Sequence, residues 1–412
     1  MTFIPSKRIN PAPARGTFTH HGAGSEGEAG AAEALHMGQF HLAHGDGGAR
    51  SAARQNRHRA LPSPGLQTIG KFVYILDLVL FTLVAAAITY RFVKFPGTLK
   101  KSIVHPTEGL FLGTSTLSLA SIISGIARYG IPSCGEWLVT VYRILFWIYF
   151  TVTFTIAVGQ YALLFTSPKL RLPDMTPAWL LPVFPFMLSG TIAATGAGLQ
   201  PPDQALPILV AGLGAQGFGL LVSITIDACY LSRLIQYGFP APNSRPGMFI
   251  AVGPPAFTGL AIIGMANNYP VYYHTFGPDE VTVQVLRVVA TATCLFIWFL
   301  SLWFFCIAVV ANLAVRREIT FHLNWYAYIF PNVGFTIAII LVGKELNSPG
   351  LIGTGSAMTL ILVIGWIVIA LNHIRAVWKG NILADGKDED YYVNERDHHH
   401  VKKLDDDSDK QA

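Results

Sequence analysis

The sequence predicts an all-α, polytopic membrane protein in which helical hairpin repeats form a ring of bent inner helices within outer helices around a central pore. Three observations predict this fold: long apolar runs, loops whose charge alternates, and a repeated pattern of proline and small residues. Of the 412 residues, 52% are hydrophobic and only 13% are charged. Apolar runs with so few charges do not suit the core of a soluble domain.

Nine apolar runs predict nine membrane spans. Each run has the ~20 residues that cross a bilayer as a helix, or more. We number them one to nine in chain order. They are 68–92, 107–127, 137–165, 177–199, 205–236, 246–267, 283–313, 323–342 and 351–377.

The loops predict the orientation of these spans, because basic loops remain in the cytoplasm. Cations follow spans one, three, five, seven and nine, whereas the loops between them hold only Arg128 and Lys344 as cations. The odd spans therefore run inward, and the C-terminus is predicted to be cytoplasmic. The cations at the cytoplasmic ends are Arg91, Lys94, Lys100, Lys101, Lys169, Arg171, Arg233, Arg245, Arg316, Arg317, Arg375 and Lys379.

Composition divides the chain into three parts: a disordered N-terminal segment over 1–65, a transmembrane domain over 66–379, and a disordered cytoplasmic tail over 380–412. The N-terminal segment is basic although the topology places it outside, which violates the charge rule. Either this is a tolerated exception, or a span that runs outward is missing before Leu66. In the tail, His398, His399 and His400 are read as part of a solvated tail or, alternatively, as metal ligands.

A helical hairpin recurs along the transmembrane domain. Spans two, four, six and eight contain glycine, hydroxyl residues and proline, and Pro185, Pro255 and Pro331 follow one another at intervals of roughly 70–76 residues. A proline inside a helix removes a hydrogen bond and bends the helix. Because lipid cannot satisfy the freed carbonyl, we expect the bent helices inside and the straight helices outside. Alternatively, the small residues only allow close helix packing.

Four segments carry a resemblance to a known family: 66–70 (LQTIG), 177–185 (PAWLLPVFP), 249–258 (FIAVGPPAFT) and 325–332 (WYAYIFPN). They resemble the tellurite-resistance/dicarboxylate transporter family, which is voltage-dependent anion channel-like, and within it the fungal malic acid transport proteins. The resemblance implies ten helices in five hairpins around a pore, the first inner helix being absent here. It also implies a homotrimer in the plasma membrane.

The same resemblance implies the function. We expect membrane transport of C4-dicarboxylate anions such as malate, coupled to protons, with sulfite efflux or another small-anion channel on the same scaffold as the alternative. The predicted partners are a small organic anion, protons and membrane lipid. No nucleic acid is expected, because the cations lie at span ends.

Resemblance also implies that Phe330, beside Pro331, matches the phenylalanine that plugs the pore in this family. The alternative is an aromatic ring in ordinary helix packing. Since no charge lies inside the bent spans, hydroxyl and amide groups are predicted to line the pore and to bind anions weakly enough for passage. The predicted lining residues are Thr114, Ser115, Thr116, Ser189, Thr191, Thr258, Asn332 and Thr336.

Ionisable residues inside the straight spans are candidates for function because they are costly in a membrane. Asp77 and Arg143 lie at depths that would let them pair. Asp227 lies about 33 Å from the outer end of span five, beyond the reach of the membrane arginines Arg143 and Arg287, and is the proton-coupling candidate. The alternative for Asp227 is hydrogen bonding to hydroxyls or backbone near the cytoplasmic surface. His105 and Glu108, at the inner mouth, are weaker candidates.

Other functional classes lack support in the sequence. Nine spans in repeated hairpins argue against a seven-helix receptor. The spans contain no metalloprotease motif, no paired aspartates and no Ser/His pair, so we expect no enzyme, no cofactor and no metal. The four cysteines, Cys134, Cys229, Cys294 and Cys306, do not have the spacing of a metal site or a disulfide scaffold.

Overall fold

The structure is a computed structural model that describes residues 64–97, 99, 108–111, 113–166, 172–270 and 280–379. The described part of the chain is helical, and each of the nine predicted spans is found there. The predicted N-terminal segment up to residue 63, the tail over 380–412 and His105 lie outside the described residues. Glu108 begins a one-turn helix, Glu108–Phe111.

The five straight spans form long helices. They are α1 (Pro64–Lys94), α3 (Trp137–Phe165), α5 (Pro202–Tyr237), α7 (Glu280–Ala314) and α9 (Pro349–Trp378). Large apolar side chains such as Leu83, Phe296 and Ile364 are exposed on their surfaces. An apolar surface of this extent is stable in lipid and not in water.

The four bent spans are built from pieces. Their main α-helices are α2 (Thr114–Gly125), α4 (Phe184–Gly196), α6 (Gly253–Asn267) and α8 (Phe330–Glu345). The helix α2 continues through a π-helical turn, Ile126–Gly130, into the one-turn helix Ile131–Cys134. The 3₁₀-helical segments Pro177–Leu180, Pro242–Val252 and Leu323–Tyr328 precede α4, α6 and α8.

The prolines lie where these spans change from 3₁₀-helix or turn to α-helix. Pro185, Pro254 and Pro331 each occupy the first turn of a new α-helix. Proline fits there because the first turn of a helix has no partner for its backbone N–H groups. Each of these spans therefore starts its α-helical part at the proline, and the helices Pro242–Asn267 and Leu323–Glu345 continue through it.

Inner and outer positions follow the sequence prediction. The buried fraction of an 18-residue apolar stretch differs between these helices. It is 89% in Pro242–Asn267 and 78% in Leu323–Glu345, but only 17–39% in the five straight helices. Neighbouring bent helices pack in series, α2 on α4, α4 on α6 and α6 on α8. The described bent helices thus form an inner arc that the straight helices cover from outside.

Side chains of the outer helices donate hydrogen bonds to backbone carbonyls of the inner helices. Such bonds matter because lipid offers no partner to a freed carbonyl. On α3, Tyr142 donates to Ile192 O at 2.6 Å and Tyr149 to Pro185 O at 2.8 Å, so α3 and α4 are antiparallel. The other bonds of this kind run from Tyr74 to Ile122 O, Ser301 to Val252 O and Trp298 to Phe335 O.

Candidate anion path and phenylalanine cluster

Three phenylalanine rings from three inner helices meet inside the protein. Phe330 stacks on Phe257, with ring centroids 5.1 Å apart and an interplanar angle of 22°, and meets Phe184 edge-on at 5.5 Å. Phe184 and Phe257 also contact each other edge-on at 5.6 Å. We call these residues the phenylalanine cluster. Phe184 and Phe257 are fully buried and Phe330 is partly buried.

Glycines make room for the phenylalanine cluster. A Cβ atom at Gly253 would lie 2.8 Å from Cζ of Phe184, and one at Gly334 would lie 2.6 Å from Cδ2 of Phe257. Both distances are shorter than a van der Waals contact. Gly113 directly precedes α2, whereas Phe184, Gly253 and Phe330 are the first residues of α4, α6 and α8. Glycine and phenylalanine thus alternate at the starts of the four inner helices.

The helix N-termini point at this cluster. Phe184 and Phe330 are the first residues of α4 and α8, and the ring of Phe184 lies against Gly253, the first residue of α6. At these starts the preceding turns accept the backbone N–H groups, that of Gly253 bonding to Ile250 O and that of Ile329 to Tyr326 O. What remains to favour an anion is the partial positive charge of a helix N-terminus.

The predicted lining residues lie on the inner helices, and the structure shows their hydrogen bonds. Thr116, Thr258 and Thr336 donate to carbonyls of their own helices, those of Gly113, Pro254 and Asn332. Ser189 Oγ, Thr191 Oγ1 and Asn332 Oδ1 are buried without a hydrogen-bond partner within the described ranges. Thr114 is half-buried and Ser115 is exposed, both at the start of α2. Ser189 and Thr191 are therefore predicted lining residues whose hydroxyls lack a partner among the described residues.

Asp227 lies on the buried face of α5 and is only 5% exposed. Its Oδ1 atom has no hydrogen-bond partner among the described residues, and neither has the hydroxyl of Tyr230 one turn further on. The nearby hydroxyl of Ser223 donates to Gly219 O instead. Arg233 bonds to the carbonyls of Pro173 and Gly238. The sequence left open that Asp227 is hydrogen-bonded to a hydroxyl or to the backbone. In the described part of the chain, its Oδ1 atom has no such partner.

The predicted pair of Asp77 and Arg143 is wrong: within the described residues these two side chains form no ion pair. Asp77 is 1% exposed, and its Oδ2 atom has no hydrogen-bond partner there. Tyr74 on the same face of α1 reaches Ile122 O of α2. The face that bears Asp77 therefore turns toward α2 rather than toward Arg143 on α3. Equal depth in the membrane does not bring two side chains onto facing surfaces.

An ion pair joins Arg287 to Glu345, at 2.7 Å. The other carboxylate oxygen of Glu345 accepts a hydrogen bond from Asn267 at 2.9 Å. Because Arg287 lies near the start of α7, Asn267 ends α6 and Glu345 ends α8, this group ties three helices together at one end of the bundle. The sequence did not predict Glu345 as the partner of Arg287.

The sequence prediction also missed Phe184, Phe257 and Gln216. Phe184 stands before Pro185 as Phe330 stands before Pro331, so the repeat contained the signal for Phe184. For Gln216 the signal was an amide inside the apolar run of α5, and such a polar residue calls for a buried partner.

Fold and site define a polytopic membrane protein that conducts or transports anions, and the comparisons with known proteins agree. Residues 35–374 match the voltage-dependent anion channel family, and the chain belongs to that family. The match begins ahead of the domain boundary predicted at residue 66.

Two relatives from Schizosaccharomyces pombe cover most of the chain. The malic acid transport protein is 38% identical over 329 residues, which are 79% of this chain and 75% of the relative. A putative malic acid transport protein is 36% identical over 79% of this chain and 76% of the relative. The sulfite efflux pump SSU1 of Trichophyton rubrum is more distant, at 24% identity over 74% of this chain and 82% of the relative. Family and relatives are transporters and channels rather than enzymes.

Proposed function

We propose that this protein transports C4-dicarboxylate anions such as malate through a central pore gated by Phe330. The observation that supports the gate is the stacking of Phe330 on Phe257 at the convergence of three helix N-termini. The N-termini attract the anion, whereas the apolar rings exclude water until they separate. The choice of malate rests on the relatives of 38% and 36% identity.

Proton coupling is assigned to Asp227. A carboxyl in an apolar interior gains a proton more readily than one in water. It lies about 33 Å from the outer end of the predicted span five, which in the proposed orientation is near the cytoplasmic side. There it is suited to release a proton to the cytoplasm after an anion has entered. The lining groups are Thr114, Ser115, Thr116, Ser189, Thr191, Thr258, Asn332 and Thr336.

The proposal also covers the oligomeric state of the protein and the membrane in which it lies. We place the protein in the plasma membrane as a homotrimer with the C-terminus in the cytoplasm, since the basic residue Arg375 lies in the last turn of α9 and Lys379 follows that helix. Exposed apolar surfaces of α1, α7 and α9 then face lipid or a neighbouring subunit.

Uptake by purified protein in proteoliposomes tests the substrate. We expect saturable uptake of labelled malate that unlabelled succinate or fumarate inhibits, with slower transport of sulfite. Empty liposomes serve as the control. If sulfite flux is fast and malate flux does not exceed the control, the substrate assignment is refuted. The alternative, sulfite efflux, which the relative of 24% identity supports, then replaces it.

A further inference from the structure

Gln216 is a buried amide on an outer helix. It lies in the middle of α5 and is 0% exposed. A buried amide is costly unless its hydrogen bonds are made, and the cost is higher in a membrane, where water does not compete. Glycine at position 190 of α4 makes space for this side chain, since a Cβ atom there would lie 2.8 Å from Cβ of Gln216.

The amide of Gln216 joins two inner helices. In the orientation that places its nitrogen against an acceptor and its oxygen against donors, the nitrogen donates to Met187 O of α4 at 2.8 Å. Its oxygen accepts from the backbone N–H of Thr258 on α6 at 3.3 Å and lies 2.9 Å from the Thr258 hydroxyl, whose single proton it shares with Pro254 O at 2.8 Å. Because α4 and α5 approach closely at Gly190, a side chain of this length can pass α4 and reach α6.

The bridge lies at the level of the phenylalanine cluster. Met187 follows Phe184 by one turn of α4, and Thr258 follows Phe257 directly on α6. We propose that Gln216 is a positioning residue, which holds Phe184 and Phe257 at the separation at which they receive the ring of Phe330. This inference rests on the proposed gate. It identifies Gln216, on the outer helix α5, as a residue that supports the gate from outside the path.

Four variants test the inference by basal anion conductance in planar bilayers. Gln216→Leu removes both ends of the bridge, and Thr258→Val removes one hydroxyl. Both should raise the conductance of the closed state several-fold, and the conservative Thr258→Ser should raise it less than Thr258→Val does. Asn268→Ala is the matched control. Asn268 links the same two helices through Ala194 O at 2.7 Å, but at their outer ends.

A double-mutant cycle separates positioning from general loosening. In a Phe330→Ala background, Gln216→Leu should raise the conductance only a little further, because the ring of Phe330 that Phe184 and Phe257 receive is gone. An equal increase in both backgrounds would overturn the inference, and so would an increase in the Asn268→Ala control as large as that in Gln216→Leu.

Hydrogen–deuterium exchange gives a readout that does not depend on the gate. Gln216→Leu should speed exchange over residues 184–190 and 253–259 relative to the Asn268→Ala control. Unchanged exchange in both segments would overturn the positioning role. If exchange rises while Phe330→Ala leaves conductance at the wild-type level, the proposed gate fails and the bridge between α4 and α6 stands.

Discussion

The ring of Phe330 lies nearly parallel to that of Phe257, with centroids 5.1 Å apart and an angle of 22° between them. Stacked rings of this kind contribute about 0.5–1.5 kcal/mol beyond the burial of their area. In the proposed gate, a contact of this strength favours the closed path and can be broken by a conformational change of the helices.

Replacing Phe330 by alanine should open the path. Phe330→Ala leaves space beside Phe184 and Phe257, and we expect basal anion conductance to rise several-fold in oocytes or bilayers. The matched control is Phe335→Ala on the same helix, since Phe335 stacks on Trp298 of the outer helix α7, with centroids 4.6 Å apart. Conductance unchanged by Phe330→Ala, at equal amounts of inserted protein, would leave Phe330 as a packing residue.

Adding a methyl group at Gly253 should strain the phenylalanine cluster. Because the new Cβ atom would lie 2.8 Å from Cζ of Phe184, Gly253→Ala should cost about 1–3 kcal/mol of stability, measured as thermal unfolding in detergent. A Cβ atom at Gly214 meets nothing within 4 Å, so Gly214→Ala is the control. Combination with Phe184→Ala should remove most of the effect of Gly253→Ala. Fully additive losses would contradict a contact between the two positions.

Replacing Asp227 by asparagine should abolish the acid stimulation of malate uptake and leave anion exchange measurable. The amide keeps the shape of the side chain but cannot carry a proton. Asp203→Asn, in the exposed first turn of the same helix, is the control and should retain the acid stimulation. If Asp227→Asn remains stimulated by acid, the proton is carried by another group or by the substrate itself as the monoanion.

Breaking the ion pair between Arg287 and Glu345 should have a small effect. The side chain of Arg287 is 36% exposed, and ion pairs of such exposure contribute about 1 kcal/mol or less. Arg287→Gln and Glu345→Gln should each lower the unfolding temperature slightly, and the double variant should lose less than the sum of the two. A double variant that loses the full sum would show that the two charges do not interact.

The hairpin pattern could be predicted from the sequence because hydropathy and proline spacing are local properties of the chain. The spans from Pro177 to Leu199 and from Leu323 to Val342 illustrate this, since their inner position follows from glycine, hydroxyl and proline content alone. The family resemblance, rather than this pattern, pointed to Phe330. Its equivalent, Phe184, was present in the repeat but carried no separate signal that it touches Phe330.

What the sequence determined by itself is the membrane class, the nine described helices and the division into inner and outer helices, because lipid acts on each segment separately. Only the tertiary structure decided which side chains face one another. Asp77 turns to α2 and not to Arg143, Glu345 binds Arg287, and Gln216 reaches over Gly190 to Thr258. Such contacts depend on the rotation and close approach of neighbouring helices, which packing of the whole protein determines and which depth along one helix does not reveal.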